Sequence, residues 1–230
     1  MSKHILLGIS GGIAAYKSCE LVRLLKKQGH SVSVVMSKAS TEFISPLTFQ
    51  ALSGNPVLTD THENSLGNGM AHINLTREAD ALVIAPATAN TIAKISHGIA
   101  DNLLANLVAA RKCPLAVAPA MNVEMWNNPA NLRNIEQLRS DGITIFQPAY
   151  GEQACGEIGL GRMLEAADLA DLISDLWTPK ILLGKRILIT AGATFEAIDP
   201  VRGITNISSG QMGTALARTC RAAGAKVTLI

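Results

Sequence analysis

Aromatic residues are scarce in this chain: four Phe, two Trp and two Tyr in 230 residues. A surface that binds nucleic acid needs rings for base stacking and a basic face for phosphates. Neither is on offer, because the net charge is only +2 and the lysines and arginines form no run. Nucleic acid is therefore not an expected partner. No apolar stretch reaches the length needed to span a bilayer. The N-terminus enters a strand-like run at once and has no signal-peptide pattern. No membrane association is expected. Cysteine is sparse as well. Cys19, Cys113, Cys155 and Cys220 lie far apart, with no Cys-x-x-Cys pair. That spacing argues against a disulfide framework and a zinc site. Free thiols in a reducing cytoplasm, and no metal, are the expectation.

What the chain has is 48% hydrophobic and 17% charged residues, ample for a large core. Short apolar runs alternate with longer helical patterns. His4–Ile9, Ser31–Met36, Ala81–Ala85, Leu115–Ala118 and Ile143–Phe146 read as strands, and a helix follows the first as far as about Gln28. Gly29 then stops it. The runs are continuous rather than alternating, as in strands covered on both faces. This pattern predicts an α/β fold with a doubly wound parallel sheet, Rossmann-like in kind. Ligands of such sheets bind beyond the carboxyl ends of the strands. After a helix at about Ala166–Trp177, Pro179 and Gly184 break the pattern. A new strand at Arg186–Thr190, a helix at about Ser208–Ala223 and a strand at Lys226–Ile230 follow. We place a boundary near residue 180, giving one domain over 1–180 and the start of a second Rossmann-like domain over 181–230. The second piece is too small to enclose a core of its own.

Small or polar residues cluster where the strands should end. Ser10, Gly11, Gly12 and Ile13 join the first strand to its helix. Such a turn lets backbone amides approach a phosphate, although it is neither Gly-x-Gly-x-x-Gly nor a Walker sequence. Ser37, Lys38, Ala39 and Ser40 follow the second strand and could bond a phosphate or a ribityl chain. Thr88, Ala89, Asn90 and Thr91 follow the third; they suit a ligand, and they suit a helix cap equally. After the fourth strand come Ala120 and Asn122, whose amide can donate to a carboxylate or accept from an amide. Met121, Met125 and Trp126 read as core or pocket wall. His72 stands near a helix start, as a cap, a surface residue or a base. Finally, Tyr150–Met163 holds four glycines with Cys155 in its middle. That composition predicts a flexible loop, either incidental or a lid that carries a proton donor over a bound molecule.

In combination, His72 in Ala-His-Ile, Pro119-x-Met121-Asn122-x-x-Met125-Trp126 and Ala154-Cys155-Gly156 resemble the flavin-dependent cysteine decarboxylase family. Within it the chain resembles the bifunctional phosphopantothenoylcysteine decarboxylase/phosphopantothenate–cysteine ligases of coenzyme A biosynthesis. The resemblance implies FMN held by Gly11, Gly12, Ile13, Ser37, Ser40, Thr88, Ala89, Asn90, Thr91 and Ala120. It implies 4'-phosphopantothenoylcysteine as substrate, held by Asn122, Met125, Ala154, Gly156, Arg162 and Met163. A homotrimer or trimer-based homo-oligomer is implied, a dodecamer in a full-length chain. The implied reaction oxidises the cysteine moiety to a thioaldehyde, loses CO₂ to give an enethiol, and reduces that to the thiol. His72 would be the base of the oxidative step, Asn122 would hold the carboxylate, and Cys155 would protonate the enethiol. Glu152–Met163 would be the closing flap. A flavin-binding regulatory subunit and a flavin prenyltransferase are the other activities the same fold could carry.

Thr190–Thr194, Asp199–Arg202 and Asn206–Gly210 resemble the opening of the family's CTP-dependent ligase domain, with Asn206 retained from its site. Departures occur at Phe195 and Ala197, at Gly203 where the family has Tyr, and at Gln211 where it has Lys. No ligase activity, and so no use of Mg or CTP, is expected of these 230 residues.

Overall fold

A computed structural model describes residues 2–60 and 71–230, with side chains from residue 75 in the second stretch. The chain packs as two compact units, residues 1–170 and 171–230.

The first unit opens with β1 (His4–Ile9), α1 (Ala15–Lys27) and β2 (Ser31–Met36). A 3-10 turn over Lys38–Glu42 leads to α2 (Pro46–Ser53), β3 (Leu58–Thr59), α3 (Ala71–Glu78) and β4 (Ala81–Ala87). Then come α4 (Ala89–Ser96), α5 (Leu103–Ala110), β5 (Leu115–Pro119), α6 (Val123–Asn127), α7 (Pro129–Ser140) and β6 (Thr144–Ile145). These six strands form one sheet in the order β3-β2-β1-β4-β5-β6, every pair parallel. The order reverses between β1 and β4, so the ligand crevice of a doubly wound sheet should open at their carboxyl ends.

The apolar runs are buried as their continuity requires. Ile5, Leu6, Leu7 and Ile9 of β1 are fully buried, and so is every residue of β4 and β5. Leu103, Leu104 and Leu107 of α5 and Ile135 and Leu138 of α7 complete that core. Expected strands β1 and β2 have the observed bounds. The fifth is shorter than expected, and β3 was not expected. Both are two-residue edge strands, and β3 pairs only through Val35–Leu58 and Met36–Thr59. Two residues carry no readable period.

The glycine-rich segment is not the open loop that its composition predicts. It forms an antiparallel hairpin of β7 (Ala149–Glu152) and β8 (Ile158–Arg162), with Gln153–Glu157 at the tip. In β8 the buried positions are Gly159 and Gly161, while Ile158, Leu160 and Arg162 are exposed. A side chain at Gly159 would strike Val123, and one at Gly161, where φ is +136°, would strike the Met121 carbonyl. The hairpin therefore docks through bare backbone on the β5–α6 connection, and the Met121 N–H donates to the Gly161 carbonyl at 2.9 Å. An inward face made of glycine hides the usual strand signal.

The root of the hairpin is tied to α1. Lys17 is 6% exposed, and its ammonium donates to the Met163 carbonyl and to Glu165, each at 2.8 Å. The Lys17 hydrogen bond holds the Glu165 carboxyl below its ordinary value of 4.5, against a smaller opposing desolvation. A depressed carboxyl stabilises the fold above its unfolded value and loses that contribution as pH falls through the folded one. Lys17→Met should leave the Met163 carbonyl buried and unpaired, costing about 1–3 kcal/mol. It should also flatten the acid limb of thermal stability below about pH 4.5. Melting curves from pH 7 to 3 check both, and an unchanged acid limb would reject the pairing.

α8 (Ala166–Ser174) follows the hairpin. The second unit contains β9 (Arg186–Ile189), β10 (Phe195–Ala197), β11 (Gly203–Thr205), α9 (Gln211–Ala222) and β12 (Lys226–Leu229). β9 and β12 pair in parallel, and β10 with β11 makes a hairpin between the expected strand and helix. Asp199 closes its turn by accepting from the N–H groups of Val201 and Arg202 at 2.9 and 2.7 Å. Leu188, Phe195, Ile204 and Ile207 are all exposed, in keeping with a piece too small to enclose a core.

Candidate functional site

The carboxyl ends of β1 and β4 are laced together by one hydroxyl. Ser10 Oγ donates to the Pro86 carbonyl at 2.7 Å and accepts from the Thr88 N–H at 3.0 Å. Beside this lacing lies a cavity of about 420 Å³, within the range of small-molecule sites. Its wall takes Gly11 from the first turn, Ser37 and Ala39 from the second, and Thr88–Thr91 from the start of α4. Thr88 also caps α4, accepting from the Thr91 N–H at 3.3 Å. Cap and cavity wall are thus compatible roles for one residue.

Other expected ligand residues fall elsewhere. Ser40 is fully buried and turns its hydroxyl inward, donating to the Ser37 carbonyl at 2.7 Å. It braces the wall rather than lining it. The Ala120 N–H extends the sheet by donating to the Ala87 carbonyl at 3.0 Å. Ile13 is 60% exposed at the start of α1. His72 falls in α3, and its side chain lies outside the described residues.

Lys38, expected from the sequence as a candidate ligand residue, lines the wall, and so do Lys94, Asp60 and Asn102, which were not expected. Lys38 and Lys94 bring positive charge, and Lys94 is paired with Asp101 at 2.7 Å. Asp60 accepts from the Leu103 and Lys38 N–H groups at 2.9 and 3.1 Å. Asp60 keeps its negative charge and Lys94 is paired with Asp101, so it is Lys38 with the surrounding N–H and hydroxyl donors that suits an anionic group. Hydroxyl and amide groups on the same wall suit a polyol chain.

The glycine turn fits the approach of such a ligand. A Cβ on Gly12 would meet only Thr88 Cγ2, at 3.8 Å, so the backbone there faces open space. A Cβ on Gly11 would stand 2.5 Å from Ala39 Cβ and 2.9 Å from its carbonyl carbon. Gly11→Ala should therefore push the Ser37–Ala39 wall outward, costing about 1–3 kcal/mol. Loaded with the FMN that the sequence resemblance implies, the variant should retain several-fold less of it after gel filtration; a variant that keeps as much as the wild type would reject this packing argument.

At the far side of α6 the second cluster forms. Asn122 caps this helix, its Oδ1 accepting from the Glu124 N–H at 2.8 Å. The cap leaves the amide NH₂ pointing away from the helix. Cys155 Sγ lies 3.4 Å from that nitrogen, and Glu157 Oε2 accepts from it. Cys155 Sγ is also 3.7 Å from Glu157 Oε2 and 3.9 Å from Gln153 Oε1. Gln153 clamps the tip in place, accepting from the Val123 N–H at 2.9 Å and donating to the Leu160 carbonyl at 3.1 Å. The structure thus brings Asn122 and Cys155 together and adds Gln153 and Glu157. Ala154 and Gly156 flank Cys155 on the exposed tip. Met125, on the same helix as Asn122, reaches the cavity wall, whereas Trp126 is core. Arg162 pairs with Glu165 at 2.9 Å, and Met163 is buried. Asn206, in the second unit, accepts from the Thr194 N–H at 3.1 Å.

The described residues contain no cluster of metal-ligating side chains and no helix long and apolar enough to cross a membrane. Burial pushes the Cys19 and Cys113 thiols up, whereas Cys155 is exposed.

Comparison with known proteins gives the family. The flavoprotein family matches residues 1–178. This chain belongs to it. Residues 182–230 of the flavoprotein match the DNA/pantothenate metabolism flavoprotein C-terminal domain. The chain is 54% identical over 228 residues to the coenzyme A biosynthesis bifunctional protein CoaBC of Vibrio parahaemolyticus, covering 99% of this chain and 57% of that protein. It therefore spans little more than half the length of such relatives. Among solved structures, a Cys-to-Ser mutant of PPC decarboxylase complexed with pantothenoylaminoethenethiol is 36% identical, with a TM-score of 0.70, covering 77% of this chain and 99% of that one. The FMN binding protein AtHal3 is 37% identical, with a TM-score of 0.67, covering 76% and 96%. The flavoprotein has their Rossmann-like fold, and its cofactor is a flavin.

Proposed function

We propose that this flavoprotein decarboxylates 4'-phosphopantothenoylcysteine to 4'-phosphopantetheine in coenzyme A biosynthesis, in the cytoplasm. Residues 1–180 form the decarboxylase domain in this reading. The observation that carries it is the meeting of an amide donor, Asn122, with a thiol, Cys155, where the hairpin tip reaches the start of the helix whose Met125 lines the cavity. A simple cysteine carboxylate has no electron sink, so it keeps its CO₂ until the neighbouring carbon is oxidised. Bound FMN supplies an electron acceptor, and later a donor, for the thiol-bearing carbon of the substrate.

The chain's own residues bind, orient and move protons. Ser37, Thr88, Asn90 and Thr91 would hold the ribityl and phosphate groups, with Lys38 balancing charge. Gly11, Gly12, Ile13 and Ala120 would bring backbone against the cofactor, and Ser40 would brace Ser37. His72 would take the thiol proton during oxidation. The Asn122 NH₂ would receive the substrate carboxylate. Cys155 would give a proton to the enethiol carbon, and the tip residues Ala154 and Gly156 would close over it with Met125. Arg162 and Met163 would hold the hairpin root. A homotrimer or trimer-based homo-oligomer, as the sequence resemblance implies, would cover the exposed Ile13 and Tyr16. Ligation with Mg and CTP is proposed only for a chain carrying the complete second domain, to which residues 181–230 with Asn206 would belong.

The test uses the purified protein loaded with FMN. CO₂ should be released from 4'-phosphopantothenoylcysteine, with 4'-phosphopantetheine as product. A protein that cannot be loaded with FMN, or that is loaded and releases no CO₂, would remove this reading. In His72→Asn, flavin binding should persist while bleaching of the flavin by substrate slows by about 10²-fold or more. Unchanged bleaching would exclude His72 as the base.

A further inference from the structure

Asn122 offers one NH₂ group, and both its directions are engaged within the chain. Its Oδ1 is held by the Glu124 N–H at 2.8 Å, which fixes which end of the amide faces the hairpin. The nitrogen then meets the Glu157 carboxylate and, at 3.4 Å, the Cys155 sulfur. A carboxamide nitrogen carries two N–H bonds and no more. A ligand that needs this amide must take it from a group already there, and the stronger occupant is a carboxylate.

Glu157 reaches Asn122 because the tip is doubly fastened. The Gln153 N–H donates to the Glu157 carbonyl at 2.8 Å, and the Gln153 side chain bridges Val123 and Leu160. Glu157 stands two residues after Cys155, so the hairpin tip holds the thiol and the competing carboxylate against one amide together. We propose that Glu157 is an internal surrogate for the substrate carboxylate. It fills the Asn122 amide in the substrate-free protein, yields it to the incoming carboxylate, and reclaims it once CO₂ has left. Glu157 is a positioning residue in this account, acting through Asn122. The inference rests on the reading that Asn122 receives the substrate carboxylate.

Removing the charge while keeping the shape weakens the competitor. Glu157→Gln should lower the KM for 4'-phosphopantothenoylcysteine by about three- to tenfold, the difference between a charged and a neutral acceptor. The inhibition constant of the product 4'-phosphopantetheine, which has no carboxylate to place on Asn122, should stay within about twofold. A residue that merely shaped the tip would raise both constants together. Glu157→Ala should act in the same direction, covering any poor folding of one variant. Glu136→Gln, which removes an exposed charge from α7 in the same unit, should leave KM unchanged. An equal fall there would assign the effect to long-range charge and overturn the proposal, as would an unchanged or raised KM in both Glu157 variants. Amide hydrogen exchange at residues 153–157 gives a second reading without turnover. Exchange should quicken several-fold in Glu157→Gln, and unchanged exchange would overturn the latch. A wild-type protein that releases no CO₂ would sink the decarboxylase reading instead, leaving exchange to decide the latch.

Discussion

Asn122→Asp is expected to lower kcat/KM for decarboxylation by about 10²-fold or more while leaving the fold intact. Aspartate is as good a helix cap as asparagine, so the bond from the Glu124 N–H and the start of α6 should survive. What changes is the other end of the side chain. Its NH₂ becomes an oxygen, and a donor to a carboxylate becomes a second carboxylate. The lost charge-assisted hydrogen bond is worth about 1.5–3 kcal/mol. Like charges a few ångströms apart near a protein surface add repulsion of about the same order. At about 1.4 kcal/mol per factor of ten, the two together exceed a hundredfold. Repulsion from Glu157 should also loosen the hairpin tip. The measurement is steady-state CO₂ release beside a melting curve. Near-normal turnover with normal melting would mean that the substrate carboxylate is not placed on Asn122.

Cys155→Ser should change the product rather than simply slow the reaction. In the proposed reaction the substrate loses two electrons and CO₂ to become an enethiol, and completing the cycle needs a proton at carbon as the electrons return. A serine hydroxyl is a much weaker acid than a thiol, so that last step should fall by about 10²–10⁴-fold, the usual range for a positioned acid. Without oxygen, CO₂ release should stop near one equivalent per flavin, with the visible flavin band bleached and the enethiol identified by mass. Full conversion to 4'-phosphopantetheine would exclude Cys155 as the donor.

Glu157 and Gln153 show why the site was only half legible in the linear chain. Asn122 and Cys155 are readable because each sits in a composed motif: one after a buried strand, the other among glycines. Glu157 looks like any charged residue of a surface segment. It gains meaning only through its contact with Asn122, 35 positions away. The hairpin itself escaped notice for a related reason. Its buried face is Gly159 and Gly161, so the alternation is there with the usual chemistry inverted. Glycines at every second position, next to Ile158 and Leu160, were the signal that could have revealed it. Asp60 and Lys94 are legible only once the 3-10 turn, α4 and α5 are seen to share one cavity.

The amino-acid order alone determined the parallel sheet and the edge on which its cavity opens. Strands buried on both faces must be continuously apolar, and the turns that follow them must be small or polar. Those are local requirements, written in consecutive residues. The tertiary structure decided the rest. It chose which end of the Asn122 amide faces out, placed a competing carboxylate against it, and folded a glycine-rich segment into a docked hairpin. These depend on groups far apart in the chain coming within hydrogen-bonding distance, which no single stretch of residues specifies.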